Sequence, residues 1–286
     1  MEKLNKLYYI IIYILQFIRT IYIKPLYRLK KQEGNIHILG NGPSSLKTFY
    51  NRYKKGDKVI VCNFFLKNEH FFKIKPKYYI IIDPYFYEYK NNQKLDEFYN
   101  KLNKIDWDIN LILLGHLEKE MKSRLPITNS KIKILRLKYA PLEIMNKYVY
   151  KLYKFNLATP KFQNVIVSSI YISLNLGFKN LFLHGVESNS VNNFKIDKDN
   201  NILLQEEHSY GKSIINLTDE NGDMPKYLGL FRKGEFYKRL KCEVDMFYNY
   251  YLLEKYSKHL KSQIINYTPF SYIDAFEKKN CDREEK

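Results

Sequence analysis

The segment Ile36–Ser45, with the sequence IHILGNGPSS, has the residue types and spacing of a site for a phosphorylated ligand. An apolar strand runs into a turn containing Gly40 and Gly42, and residues without side chains let the backbone approach a phosphate or a base closely. A helix predicted from about Ser44 would direct its N–H groups and positive dipole end at the same ligand. The segment lacks the GK[ST] of the P-loop and the third glycine of the dinucleotide fingerprint. A tight β–α turn with a side-chain bond from Asn41 is the alternative interpretation.

Other polar residues with possible chemistry each have a structural alternative. His184 ends an apolar strand, where it is either a satisfied core histidine or a side chain facing a cleft. Asp219, Glu220 and Asp223 resemble a metal-binding loop, but their spacing fits no EF-hand, and a solvated turn is the simpler interpretation. The chain has no CxxC pair and no Cys/His cluster at ligand spacing. This pattern argues against a structural zinc site.

Short apolar runs alternate with helical patterns from residue 35 onwards. This alternation predicts an α/β fold with a doubly wound, mostly parallel, Rossmann-like sheet in a single nucleotide-binding domain over residues 32–277. In such sheets ligands bind at the carboxyl ends of the strands. The predicted strands are 35–39, 58–62, 78–82, 111–114, 132–135, 180–184 and 264–267, and the predicted helices are 44–53, 165–176 with Gly177 as a C-terminal stop, and about 235–261.

Two regions depart from this alternation. Residues 139–164 are aromatic and basic, which favours a lid or helical excursion over a pocket. Residues 188–234 are polar, with Gly, Asn and Asp clusters, and predict a long functional loop region. Residues 278–286 form a charged tail.

The composition excludes some classes of protein. A chain of 286 residues with 45% hydrophobic and 16% aromatic residues can build a sizeable core. The formal charge of +18 favours anionic partners, although AT-rich codon usage also produces a Lys-rich, Asn-rich, Ile-rich and Tyr-rich chain. No basic tract accompanies a nucleic-acid motif, so nucleic acid is not an expected partner. The three cysteines, Cys62, Cys242 and Cys281, suit a reducing, cytoplasmic compartment rather than a disulfide framework.

The N-terminal segment, residues 1–31, is hydrophobic and basic. Its run Leu7–Ile23 is shorter than the roughly 20 apolar residues of a spanning helix and contains Gln16 and Arg19. No small-residue cleavage site follows it, which argues against a signal peptide. An amphipathic helix on an anionic membrane surface is the preferred interpretation. A helix packed on the core or in a homo-oligomer, and a true span, are the alternatives.

Several short motifs occur in a fixed order at predicted strand ends and span roughly residues 35–275. Together they resemble the bacterial sialyltransferase family that decorates lipooligosaccharides. That family lies within a wider group of 6-hydroxymethylpterin-diphosphokinase-like and flagellin-glycosylation proteins. The matching segments are GNGPS (40–44), VCNFF (61–65), IDP (82–84), LGFK (176–179), LHGVE (183–187), HSYGKS (208–213) and TPFS (268–271).

The resemblance implies a nucleotide-sugar donor, a CMP-activated acid sugar such as sialic acid or a relative, and inverting transfer without a metal. At Asp83 this chain has a carboxylate where the family has an amide, and this group would repel a sugar carboxylate. The nucleotide-binding residues that the resemblance implies are Gly40, Asn41, Gly42, Pro43, Ser44, Asn63, Asp83, Gly185 and Thr268.

The resemblance also implies the catalytic residues. His208 is the candidate general base because imidazole titrates near neutrality, and a solvated loop histidine is the alternative interpretation. Lys212 stands where the family has its base when the motif is matched without a gap, and Tyr210 and Lys212 are candidate phosphate stabilisers. The family's two tyrosines after G-[IV]-[DE] have no counterpart, because Ser188, Asn189 and Phe194 occupy that stretch.

The sequence therefore predicts a glycosyltransferase of surface polysaccharide, lipopolysaccharide or capsule. It would act on a glycan or lipid-linked glycan acceptor, in the cytoplasm and peripherally on the inner face of the cytoplasmic membrane. A pterin-type diphosphokinase using ATP-Mg is the second hypothesis. A non-catalytic nucleotide-binding protein of a glycan assembly complex is the third, and the missing tyrosines fit it.

Overall fold

The computed structural model describes residues 2–24, 31–87, 92–120, 125–209, 211–219 and 230–280. Eight of the described strands form one parallel sheet, and three form a separate antiparallel sheet. In chain order the strands are β1 Asn35–Leu39, β2 Lys58–Cys62, β3 Tyr78–Ile81, β4 Ile109–Leu114, β5 Ile132–Leu137, β6 Asn180–His184, β7 Phe194–Ile196, β8 Ile202–His208, β9 Gly211–Asn216, β10 Gln263–Asn266 and β11 Glu277–Lys278.

The parallel sheet is doubly wound, as the sequence predicts. Its strand order is β11-β10-β6-β1-β2-β3-β4-β5. The chain builds outwards from β1 to β5 and then returns to place β6 on the other side of β1. The strand order therefore reverses between β1 and β6, and a crevice opens at the carboxyl ends of strands on either side of such a switch point.

Helices cover the sheet, and their starts and ends follow local signals. The described helices are α1 Glu2–Arg19, α2 Ser45–Tyr50, α3 Phe71–Ile74, α4 Gln93–Leu102, α5 Leu117–Glu120, α6 Lys147–Lys154, α7 Val165–Leu176 and α8 Phe236–His259. Helix α7 is apolar on all sides and almost entirely buried between β1–β3 and α8. Asn164 caps its start by accepting from the Val167 N–H, and Gly177 ends it with φ +103°.

The region 188–234 is more ordered than the loop that the sequence predicts. Strands β7, β8 and β9 form an antiparallel sheet within it, paired from Phe194 opposite Leu204 to His208 opposite Gly211. Ile202 and Leu204 are buried on this sheet. The long-loop prediction was wrong here because β8 buries Ile202 and Leu204 at its start and pairs on both sides, although polar residues follow them.

Helix α1 contacts the rest of the chain along one side. Tyr13 packs against the main core, Thr20 is buried, and Ile23 packs against Gly115 after β4. The opposite side exposes a stripe of apolar residues at helical spacing: Leu7, Ile10, Ile11, Ile14, Leu15 and Ile18. None of the described helices combines the length and apolar character required to cross a membrane.

Candidate active site

A cleft of about 500 Å³ lies at the switch point between β1 and β6. Its walls come from the turn after β1, the ends of β2 and β3, the start of α7, the segment after β6, strand β8 and the first half of α8. Residues Phe162–Asn164, in the region that the sequence predicts as a lid, also line the cleft. Six of the nine proposed nucleotide-binding residues line it: Gly40, Asn41, Gly42, Asn63, Asp83 and Gly185.

The glycines at the cleft floor allow two strand ends to meet. The Gly40 N–H donates to the His184 carbonyl at 2.8 Å, and the Gly42 N–H donates to the Gly185 carbonyl at 3.0 Å. A Cβ on Gly40 would lie 2.2 Å from the Gly185 carbonyl oxygen, and Gly185 itself has φ +63°. These glycines therefore serve a backbone–backbone junction at the base of the cleft.

The N–H groups of Ser44 and Ser45, at the start of α2, have partners within the protein. Glu187 Oε1 accepts both the Ser44 N–H at 3.1 Å and the Ser44 hydroxyl at 2.7 Å, and the Ser45 N–H donates to the Gly42 carbonyl. Gly42 makes room for this carboxylate, because a Cβ there would meet Glu187 Oε2. An internal carboxylate thus takes the favourable position at the helix start, and a ligand on this turn stays a prediction. Neither Pro43 nor Ser44 is among the described residues that line the cleft.

Two asparagines on the cleft wall carry unsatisfied acceptors. The Oδ1 atoms of Asn41 and Asn63 are closed off from water, and within the described ranges no donor reaches either atom. Asn41 Nδ2 donates to the Cys62 carbonyl at 3.4 Å, and Asn63 adopts φ +44° while its carbonyl accepts from the Tyr79 hydroxyl. Buried acceptors without partners are costly, so a ligand in the cleft whose N–H or O–H donors these two amides turn to meet would be favoured.

Asp83 lies at the cleft edge after β3 and is exposed. Its Oδ1 accepts the Tyr85 N–H at 2.9 Å, which shapes the turn. An ionised carboxylate in this position accepts hydrogen bonds only, and ribose or sugar hydroxyls are suitable donors.

The β8–β9 hairpin is fastened to the glycine turn. The Ser209 N–H donates to the Asn41 carbonyl at 2.7 Å, and the Asn68 amide reaches the Ser209 hydroxyl at 3.4 Å. This contact brings His208 to the cleft beside Asn41, although 167 positions separate them in the sequence.

His208 is oriented by a neighbour that sequence reasoning missed. Its Nε2 lies 3.1 Å from Glu206 Oε2, two residues earlier on the same face of β8, and both residues line the cleft. A carboxylate can only accept, so Nε2 carries the proton in this pair and Nδ1 is the basic nitrogen of the neutral ring. The alternation Ile202, Leu204, Glu206, His208 is the sequence signal that could have identified this pair.

Two further proposed site residues are described but do not line the cleft. Lys212, on β9, is exposed and pairs with Glu207 at 3.2 Å, and it is not among the described residues lining the cleft. Thr268 is buried and also away from that lining, and its hydroxyl accepts the Val186 N–H at 3.0 Å, so it supports the chain after β6. Tyr210 lies outside the described residues.

His184 is a core histidine and does not face the cleft. Its Nδ1 lies 3.1 Å from the Thr48 hydroxyl and its Nε2 lies 3.0 Å from His37 Nδ1, while His37 Nε2 lies 3.1 Å from Asp57. With both rings neutral, His37 Nε2 donates to Asp57 and His184 Nε2 donates to His37 Nδ1. The Thr48 hydroxyl also lies 3.0 Å from the Ser44 carbonyl, so its one proton is shared between that carbonyl and His184 Nδ1. Burial lowers the pKa of His37. Burial, followed by the nearby His37 and Arg52, lowers the pKa of His184 well below its usual value.

The α8 wall supplies polar residues that the sequence did not indicate. Arg239 and Glu243, one helical turn apart, form an ion pair, and Glu243 Oε2 accepts from the Ser190 hydroxyl at 2.9 Å. All three line the cleft together with Cys242.

No described group of three or more His, Cys, Asp or Glu side chains is arranged to hold a metal ion. Asp219 is described, whereas Glu220 and Asp223 fall outside the described residues.

Cys62 lines the cleft with a buried side chain, and its surroundings favour the protonated thiol. Its thiol lies 3.5 Å from the Leu39 carbonyl, and burial raises its pKa to about 12. Cys62 and Cys242 are both free thiols, and Cys281 lies outside the described residues.

The chain is similar over most of its length to solved sialyltransferases of Campylobacter jejuni. CstII in complex with cytidine-5'-monophosphate is 16% identical, with a TM-score of 0.43, over 85% of this chain and 84% of that chain. CstII with a trisaccharide acceptor and CMP is 15% identical, with a TM-score of 0.42, over 85% of each chain. The monofunctional α-2,3-sialyltransferase Cst-I is 18% identical, with a TM-score of 0.41, over 87% of this chain and 81% of that chain. No protein-family model matches the chain, and no curated protein matches it in sequence.

Proposed function

We propose that this chain is a glycosyltransferase that moves a sugar from a CMP-linked donor to a glycan acceptor, with inversion and without a metal. The observation that carries the proposal is the contact between Ser209 and Asn41, which joins a histidine-bearing hairpin to the turn at the switch point. A candidate base, two unsatisfied amide acceptors and a hydroxyl-binding carboxylate thereby line one cleft.

The unsatisfied acceptors support a cytidine nucleotide. The exocyclic amine of cytosine and the ribose hydroxyls are N–H and O–H donors that suit Asn41 and Asn63. The donor sugar is an acid sugar such as sialic acid or a relative. The carboxylate of Asp83 at the cleft edge favours hydroxyl-bearing parts of the donor over its carboxylate.

His208 has the geometry of a general base in this proposal. The acceptor hydroxyl would give its proton to Nδ1 as its oxygen attacks the anomeric carbon, and the bond to the CMP oxygen would break. Glu206 would hold the ring and stabilise the imidazolium that forms. CMP would leave with the electron pair of the broken bond.

A nucleotide screen tests the donor. Thermal unfolding would be followed with CMP, CDP, UDP, GDP and ATP, each with EDTA and with magnesium. CMP in EDTA at a hundred times its Kd should stabilise the protein by about 2.7 kcal/mol, a rise of several degrees in Tm. A response to ATP-Mg alone would overturn the proposal in favour of a diphosphokinase. CMP binding without CMP release from CMP-sialic acid at any acceptor concentration would favour the non-catalytic alternative.

We also propose that helix α1 lies on an anionic membrane surface and that the acceptor is lipid-linked. Its exposed stripe is flanked by the exposed cations Arg19, Lys24 and Lys119. Its inner side is held at the carboxyl ends of β4 and β5, the edge of the sheet at which the cleft opens. An apolar face with basic flanks favours an interfacial position.

Vesicle sedimentation with the full chain tests this position. Replacing Ile11 and Ile18 by Ser should weaken binding to anionic vesicles by about tenfold or more, since each exposed Ile side chain would lose roughly 1–2 kcal/mol of burial. Ile196→Ser with Ile214→Ser, which changes two exposed isoleucines on β7 and β9, is the matched control. Equal binding of both double variants to the vesicles would refute the membrane proposal.

A further inference from the structure

The α8 wall brings a permanent positive charge into a cleft whose lining also carries several carboxylates. Among the described residues that line the cleft, Arg239 is the one Lys or Arg side chain. The carboxylates on the same lining are Asp83, Glu187, Glu206, Glu207 and Glu243. A phosphorylated donor entering this cleft therefore meets one guanidinium and several negative groups.

Most of these carboxylates are already engaged by the protein. Glu187 accepts from Ser44, Glu206 pairs with His208, and Glu207 pairs with Lys212. These internal partners reduce the negative potential that the carboxylates project into the cleft. Among the described contacts, Arg239 forms an ion pair with one residue, Glu243.

Arg239 is held in a fixed orientation with donors to spare. Its side chain is 18% exposed, and its guanidinium carbon lies 4.9 Å from the centre of the Phe194 ring. Its Nη2 donates to Glu243, which the Ser190 hydroxyl fixes in turn at 2.9 Å. A guanidinium has five N–H donors in a planar fork, so most of them remain for a ligand when one binds Glu243.

We infer that Arg239 binds the anionic part of the donor, the phosphate of the nucleotide or the carboxylate of the acid sugar. This inference rests on the proposed function and names a residue for it. Phe194 and Ser190, which contact Arg239 and Glu243, both belong to the stretch after β6. Planar recognition of phosphate or carboxylate is the chemistry for which arginine is suited.

Titration calorimetry with three ligands tests the inference. The ligands are cytidine, CMP and an inert fluorinated CMP-sialic acid analogue. CMP differs from cytidine by the phosphate, and the analogue differs from CMP by the acid sugar. In Arg239→Gln either the CMP-to-cytidine or the analogue-to-CMP affinity ratio should fall roughly 10- to 100-fold, as expected for a charge-assisted contact. The ratio that falls identifies the bound anion. Cytidine affinity should remain unchanged, which reports an intact cleft.

Two further variants separate binding from folding. Lys238→Gln removes one positive charge from the neighbouring exposed residue and should leave both ratios unchanged. The double variant Arg239→Gln with Glu243→Gln leaves no buried carboxylate unpaired. The affinity ratio that falls in Arg239→Gln should fall by a similar factor in this double variant. If wild type binds CMP and Arg239→Gln retains both ratios, the inference is wrong and the proposed function stands. If wild type binds none of the three ligands, the proposed function fails and the inference fails with it.

Discussion

Replacing His116 by Phe should make the protein more resistant to acid. His116 lies in the turn after β4, is buried, and stacks on the Tyr139 ring at 5.7 Å between centroids. Its Nδ1 receives no bond from the described residues. Burial, and secondarily the charge of Arg19, lower the pKa of His116 to about 4.

The magnitude follows from linkage. An unfolded histidine has a pKa of about 6.5, so between pH 6.5 and 4 the unfolded chain binds a proton at this position that the folded chain does not. The free energy of unfolding therefore falls as the pH drops through this window and changes no further below it. At about 1.4 kcal/mol per pH unit, the whole window is worth about 3.4 kcal/mol, of which about 2.5 kcal/mol is lost by pH 4.5.

Urea unfolding at pH 7.5 and pH 4.5 measures this loss. Phe keeps the stacking on Tyr139 and removes the titrating group, so the variant should lose about 2.5 kcal/mol less than wild type between the two pH values. His37 and His184 have pKa values that burial lowers as well, and they contribute equally to both proteins. Tyr139→Phe is the control and should show the same loss as wild type. Equal losses for wild type and His116→Phe would refute the reasoning.

Two more changes probe the cleft. Gly40→Ala should destabilise the protein by about 3 kcal/mol or more, because its Cβ would meet the Gly185 carbonyl at 2.2 Å. The control Gly56→Ala, with φ +106° and nothing within 4 Å, should cost about 1–2 kcal/mol of backbone strain in the same urea experiment. A loss of stability in Gly56→Ala that equals or exceeds the loss in Gly40→Ala would contradict the steric argument. Glu206→Gln should slow CMP release from CMP-sialic acid about tenfold or more with CMP affinity unchanged. The control Glu69→Gln, in a surface pair with His70, should change neither the rate of CMP release nor the CMP affinity. A rate of CMP release in Glu206→Gln equal to that of wild type would show that Glu206 does not position His208.

Local patterns were sufficient to predict most of the parallel sheet. The strands at 35–39, 58–62 and 180–184 are short apolar runs bounded by turn residues, and the structure has them at the same bounds. Gly177 ends α7 in the left-handed conformation that favours glycine. Because the carboxyl ends of parallel strands share one edge, Asn41, Asn63, Asp83 and Gly185 could be assigned to one cleft from their order alone.

The remaining features depend on contacts that no local pattern encodes. Glu187 occupies the start of α2 through a bond to Ser44, and these residues are 143 positions apart. Arg239 reaches the cleft because of how α8 packs, and its surrounding sequence suggests only an exposed helix. The β8–β9 hairpin had a usable signal in its alternation, but the polar segments on both sides favoured a loop interpretation.

The measurement that tests the account most directly is an experimental structure of the full chain with CMP bound. We expect the cytidine within the cleft at the β1–β6 switch point, with donors of the base or ribose within 3.2 Å of Asn41 Oδ1 or Asn63 Oδ1. His208 should line the open space where the sugar would lie. CMP bound outside the cleft, or within it with both asparagine oxygens still unsatisfied, would contradict the account.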